Sequence, residues 1–370
     1  MKRAEMRVLA PLIVSVFSLL GAPVTAATFE ELKAQAEAVR QSGNLPQAIA
    51  IYQQALLLNS SWAEGWWYLG TLFYDSDQFA DGEDAFAHFV KLEERAAPGW
   101  AFLGLCEFET GRYDESLRHI RHGLTLATGL QPETEDVLHF HEALLLTRLG
   151  LFDRALPLYM PFARRGTKDP ALIAALGLTA LRRAMLPKDV PANQQDLVMT
   201  AGKTAASWAA GDTANTEAGF RALFAGFPNA PSVHYFLGSY LLGSHPDQAL
   251  AEFRRELAVN PRSADAGAMV ALLIMRAGDE SAALPYAQKA AEDGPSTPTA
   301  RYVYGLLLTH AGDSRGIQHL EAAENLDPGN FEYHMALASA YSRFGRHDDA
   351  RRERRESIAL ARESDPRVQK

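Results

Sequence analysis

The sequence predicts an all-α solenoid of stacked helix pairs. Three observations carry that reading. A ladder of small residues recurs about every 34 positions, turn residues form a second ladder in the same register, and small–aromatic pairs four residues apart follow several of the turns. Of 370 residues, 47% are hydrophobic, 22% charged and 9% aromatic, enough apolar material for a large core.

The first ladder is Ala36, Gly70, Gly104, Ala143, Gly177, Thr204, Gly238, Ala271, Gly305 and Ala338, at intervals of 34, 34, 39, 34, 27, 34, 33, 34 and 33. A small side chain at each point lets two helices approach. The second ladder is Gly43, Asp77, Gly111, Gly150, Gly211, Gly278, Gly312 and Gly345. It marks the turn inside each pair, where a left-handed backbone favours glycine. The second helix should then show a small residue and an aromatic four positions on, as at Ala48/Tyr52, Ala155/Tyr159 and Ala249/Phe253. Prolines at 228, 261, 295 and 328 stop helix propagation at the ends of repeats, because the ring removes a donor.

Within this frame "WWYLG" at Trp66–Gly70 returns as "WAFLG" at Trp100–Gly104, offset by 34 residues. The pattern W-x2-L-G with that period resembles the tetratricopeptide repeat family over about residues 29–360. The resemblance implies a right-handed superhelix and a role in holding other proteins. For function it is weak, since the fold hosts many unrelated partners. Departures exist: His139, His234 and His334 replace the consensus Trp, and the repeat around Ile317–Leu320 lacks the usual aromatic.

Two irregularities divide the chain. Additional residues in "TGLQPETED" lengthen one loop between repeats. After "ALGLTALRRAML" the expected second helix is replaced by "PKDVPANQQ", with a new first helix starting near Asp196. The reading is an N-terminal arm over 27–186 (about four full repeats and one partial), an irregular linker over 187–195, a C-terminal arm over 196–360 (about five repeats) and a disordered tail over 361–370. A missing helix exposes two faces that must re-pack or open.

Ahead of the repeats stands a leader: basic "MKRAEMR", then the uncharged apolar run Val8–Leu20, then "GAPVTAA" with an A-x-A-like site. That pattern predicts a signal peptide over 1–26, cleaved after Ala26, and export to the periplasm or beyond. The competing reading is an uncleaved anchor, because Val8–Ala27 carries no charge for 20 residues, about a bilayer span. Pro11, Gly21 and Pro23 count against a membrane helix. The formal charge is −9, and −11 once residues 1–26 are removed, which disfavours nucleic acid. Cys106 is the sole cysteine, so neither an intramolecular disulfide nor a cysteine metal cluster can form.

Helical periodicity makes Trp66, Leu69, Gly70 and Phe73 scaffold. The resemblance places Trp67, Tyr68, Tyr74, Phe102, Phe108, Phe140, Trp208, Tyr235, Phe236 and Tyr302 on the concave side, as partner-binding candidates. Two readings of these aromatics stand: a groove for a peptide with hydrophobic anchors, or side chains packed on one another. Family members that clamp a C-terminal carboxylate use Lys, Arg and Asn on this face. Here Lys33, Arg40, Arg148, Arg182, Arg276 and Arg343 are scattered, which argues against such a clamp.

Chemistry is sparse. No phosphate-loop, dinucleotide, zinc-protease or nucleophile-elbow motif is present. His119 with His122, and His139 with His141, suggest a metal only loosely. The second pair lies two apart and cannot share a helical face. The imidazoles at 139, 234 and 334 occupy scaffold positions, and Cys106 reads as a small buried hydrophobe. The basic run Arg351–Glu363 is the outer helix of the last repeat, solvated by charge. The sequence therefore predicts a noncatalytic interaction scaffold without metal or cofactor, bound to a protein or peptide and not to nucleic acid. Two alternatives remain: a membrane-tethered assembly factor keeping its leader, and an enzyme accessory with a site near residues 187–215.

Overall fold

The turn within each pair sets the architecture. Gly43, Gly111, Gly150, Gly211, Gly278, Gly312 and Gly345 take φ between +74° and +91°, and Asp77 takes +56° in the same seat. In all of these turns but that at Gly43 the following amide reaches five residues back: Gln78 N–H donates to the Phe73 carbonyl at 2.9 Å and Arg346 N–H to that of Tyr341 at 2.8 Å. This bond caps a helix whose next residue is left-handed and reverses the chain for the second helix. All eight turn positions expected from the sequence take the left-handed backbone.

The computed structural model describes residues 27–126, 129–166 and 169–363. Among them the chain forms nineteen α-helices and no strand. The N-terminal pairs are α1 (Phe29–Gln41) with α2 (Leu45–Leu58), α3 (Ala63–Asp75) with α4 (Phe79–Leu92), α5 (Ala97–Glu109) with α6 (Tyr113–Leu126), and α7 (Pro132–Arg148) with α8 (Phe152–Arg164). Then come α9 (Pro170–Ala180), α10 (Gln195–Ala209) and α11 (Thr213–Gly226). The rest are α12 (Val233–Leu241) with α13 (Pro246–Val259), α14 (Ala264–Arg276) with α15 (Glu280–Asp293), α16 (Pro298–His310) with α17 (Arg315–Leu326), and α18 (Phe331–Arg343) with α19 (His347–Glu363). The expected leader with its cleavage after Ala26 lies outside the described residues, as do residues 364–370 of the expected tail. Helix α19 continues to Glu363, past the expected end of the repeats at 360.

Packing follows the small-residue ladder. A Cβ on Gly70 would lie 2.8 Å from the Phe86 ring, and one on Gly238 2.8 Å from the Phe253 ring, so glycine admits the aromatic of the second helix. Ala48, Tyr52, Ala155, Tyr159, Ala249 and Phe253 are all fully buried.

At the break the structure re-packs. Two short 3-10 turns, Pro187–Asp189 and Ala192–Gln194, replace the expected second helix. Helix α10 then serves both neighbours. It crosses α9 where Gly177 meets Gly202: a Cβ on Gly177 would sit 2.0 Å from the Val198 carbonyl oxygen, and one on Gly202 1.8 Å from that of Ile173. Its other face meets α11, where Thr204 lies against Gly219. Leu181, Leu186, Leu197 and Val198 are buried, and one apolar core continues across the break from Ala101 to Phe236.

Candidate functional site

The fourth residue of a first helix is built to clip that helix to the turn before it. The Trp66 indole N–H donates to the Ser60 carbonyl at 2.9 Å, and Trp100 donates to that of Glu94 at 2.8 Å. Arg301 Nε makes the same six-residue reach to the Pro295 carbonyl at 3.0 Å, and His334 Nε2 to that of Pro328 at 2.9 Å. In these four helices the position keeps an N–H donor and not a particular ring, which explains how His replaces Trp at 334. The other ring nitrogen of His334 lies 2.8 Å from Glu353, and both side chains are buried. His234 pairs likewise with Glu252 at 2.7 Å. At the third such position the expected satisfied imidazole is not seen at Nδ1: His139 Nδ1 is buried with no hydrogen-bond partner among the described residues, and Glu142 lies at ion-pair range, 3.9 Å.

Of the ten candidate contact residues, the structure buries three. Phe108 is 7%, Tyr235 6% and Phe236 1% exposed, so they are core as the chain stands, a correction to their expected accessibility. The reason is local: Phe108 is covered edge-on by His141 at 4.8 Å, Phe236 by Phe220 at 4.8 Å, and Tyr235 by the Arg182 guanidinium at 4.8 Å. The other seven are half-buried. Trp67 meets Phe86, Phe89 and Phe102 at centroid distances of 5.4–5.6 Å, and Tyr74 meets Phe102 at 5.1 Å. Trp67 is therefore held between α4 and α5, while Trp66 stacks on the exposed His88 at 4.3 Å. Trp66 therefore builds, through its indole clip, while Trp67, placed from sequence among the partner-binding candidates, follows the packed one of the two readings. Tyr68 lies under the Arg40 guanidinium at 3.9 Å, Trp208 against Tyr240 at 5.8 Å, and Tyr302 against Tyr333 at 5.0 Å.

Phe140 is half-buried among His141, Tyr159 and Phe162. It lines a cavity of about 320 Å³ with Val137, His141, Phe162 and Leu172, rimmed by the Arg165–Asp136 ion pair at 2.6 Å. Burial pulls the His141 imidazole below its ordinary value, so the wall is favoured neutral. A second cavity of about 480 Å³, between α13 and α15, is lined by Leu257, Pro261, Pro285 and Tyr286. No repeat position had singled it out.

The remaining chemistry is structural. Burial, then the carboxylates of Glu83, Glu107 and Glu109, push the Cys106 thiol up to about 12, where the thiolate is scarce. His119 bonds Glu107 at 2.7 Å and, like His122, packs on Trp100. Around residues 187–215 the polar groups cap and brace helices: Asp212 accepts from the Asn215 amide, Thr204 donates to the Thr200 carbonyl, and Arg183 meets Gln194. No three His, Cys, Asp or Glu side chains among the described residues converge on a point where a metal could bind.

Sequence reasoning missed one cluster altogether. Arg154, at the start of α8, places Nη1 2.6 Å from Asp327 Oδ1, across 173 residues. Arg182 bonds Asp153 at 2.7 Å and also Asp265, on α14. The single available signal was Arg182 among the scattered inner-face cations.

The tetratricopeptide repeat family model matches residues 69–122, 243–298 and 271–315. Over those spans the chain carries tetratricopeptide repeats. A solved structure titled as a crystal structure of MamA is similar at 18% identity, covering 43% of this tetratricopeptide chain and 95% of that one, with a TM-score of 0.36. A MamA fragment from Desulfovibrio magneticus RS-1 is similar at 23% identity, covering 41% and 89%, with a TM-score of 0.34. No curated protein matches the chain. As a tandem tetratricopeptide array, the chain is a protein–protein interaction scaffold.

Proposed function

We propose that this scaffold is noncatalytic, works in the cell envelope or secreted space, and holds a partner segment against the concave aromatics of its first helices. One observation carries the reading: Phe140 lines an open apolar cavity of about 320 Å³ with a charged rim. Such a cavity suits one hydrophobic anchor of an extended or helical peptide, with a rim pair to orient it. The half-buried Trp67, Tyr68, Tyr74, Phe102, Trp208 and Tyr302 would extend the contact. Location outside the cytoplasm rests on the leader.

The test is affinity capture from envelope extracts with the tagged full-length gene product, beside Phe140→Ala. The variant should lose the captured partner while its helical circular dichroism and melting stay near wild type. Equal capture by both proteins would remove the cavity from the reading. Intact mass of the exported protein tests processing after Ala26, and retention of residues 1–26 would favour a tethered scaffold.

A further inference from the structure

The cluster that joins the two arms has the anatomy of an occupied binding site. On the side of the C-terminal arm stand Asp265, Asp327 and the ring of Tyr235. Into them project two arginines from the N-terminal arm. Arg154 puts Nη1 2.6 Å from Asp327, which is 3% exposed. A Cβ on Gly329 would lie 2.3 Å from that same nitrogen, so a glycine backbone forms the wall of the seat. The Arg182 guanidinium lies 4.8 Å from both the Phe152 and Tyr235 rings, with its ends on Asp153 and Asp265. Planar stacking combined with a forked bond to carboxylate is what guanidinium does and ammonium does poorly.

The occupant fits imperfectly. Arg182 sits at φ +52°, in the left-handed seat that seven other turns fill with glycine. A bulky residue there is strained and persists only where surrounding contacts hold it. Its Nε is buried and finds no acceptor among the described residues. An empty seat is costly, because a buried carboxylate such as Asp327 is destabilised without its cation. A cation from outside would relieve that cost.

We infer that the inner face of the C-terminal arm is an arginine-recognition surface, filled here by the chain's own Arg154 and Arg182, and that an arginine-bearing segment of a protein partner takes these seats by displacing them. The inference goes beyond the reading above, since it assigns recognition to Asp265, Asp327 and Tyr235 and does not involve the Phe140 cavity.

The experiment is fluorescence anisotropy of the full chain with a labelled glycine–serine peptide carrying two arginines, beside the same peptide with two lysines. Arg154→Ala/Arg182→Ala should bind the arginine peptide at least ten-fold tighter than wild type, and the lysine peptide more weakly. Adding Asp265→Asn/Asp327→Asn should erase the gain. Equal affinity for wild type and the double variant would overturn the proposal, as would a gain that survives the Asp→Asn changes. If circular dichroism shows the alanine variant unfolded, Arg154→Lys/Arg182→Lys replaces it. That variant should show a smaller gain, and no gain would again overturn the proposal.

Discussion

Gly177 and Gly202 bring α9 and α10 together backbone against backbone: a methyl on either would overlap a carbonyl of the opposite helix, at 2.0 Å and 1.8 Å. A clash with backbone cannot be relieved by a rotamer change, so Gly177→Ala or Gly202→Ala must separate the helices. Each should cost about 3 kcal/mol, the upper end for overpacking, read as a shift in denaturant midpoint. Gly226, at the end of α11, has open space where its Cβ would be, with an ordinary helical backbone. Gly226→Ala should gain about 0.5 kcal/mol from helix propensity.

The adjacent tryptophans give a second test. Trp66→Phe and Trp100→Phe keep an aromatic ring but delete the N–H bonds to the Ser60 and Glu94 carbonyls along with the pyrrole, so each should cost at least about 1 kcal/mol. Trp67→Ala removes a side chain wedged among Phe86, Phe89 and Phe102 and should cost about 3 kcal/mol. Thermal melting ranks the three variants. If Trp67→Ala melts like wild type, the packing described for it is wrong.

His334 predicts a pH dependence. Burial opposes its charge, but bonds to the Pro328 carbonyl and Glu353, with Glu324 nearby, outweigh burial and raise its value above the ordinary 6.5. Both ring nitrogens face acceptors, so the doubly protonated ring is the form that fits. A raised folded value means that this stabilisation is fully present below the unfolded value, about 6.5, and is lost as pH rises through the folded one. The melting-temperature difference between wild type and His334→Phe should therefore be largest below pH about 6.5 and shrink above it. A difference that grew with pH would contradict the assignment.

Cys106 should be silent in the native state. With its thiol buried and pushed up to about 12, a chromogenic disulfide reagent should label it only as fast as the chain unfolds, and at once in denaturant. Rapid native labelling would show that α5 opens locally.

The pairing of helices was legible because it is periodic. The positions of Gly43, Gly111 and Gly345 follow from a left-handed turn that recurs once per repeat, and Ala48 with Tyr52 follows from one buried helix face. Asp77 was caught by register alone. Arg182 was not, although the amide after it bonds the Leu178 carbonyl at 2.8 Å as in most of the other turns. A bulky cation in a glycine seat carries no local mark of that role. The sequence left the packing of Trp67 undecided because its ring neighbours, Phe86, Phe89 and Phe102, come from two other helices whose tilt sets the approach. Contacts such as Arg154 with Asp327 depend on how far the superhelix has turned after many repeats, a sum of small rotations that no single motif states.

That last contact changes how the molecule would carry load. A solenoid held at its ends stretches like a coil spring, each unit giving a little against the next. Here the bridge from Arg154 to Asp327 bypasses every helix between them. Tension applied to the termini would run across that strut, leaving the intervening coil slack until the strut parts.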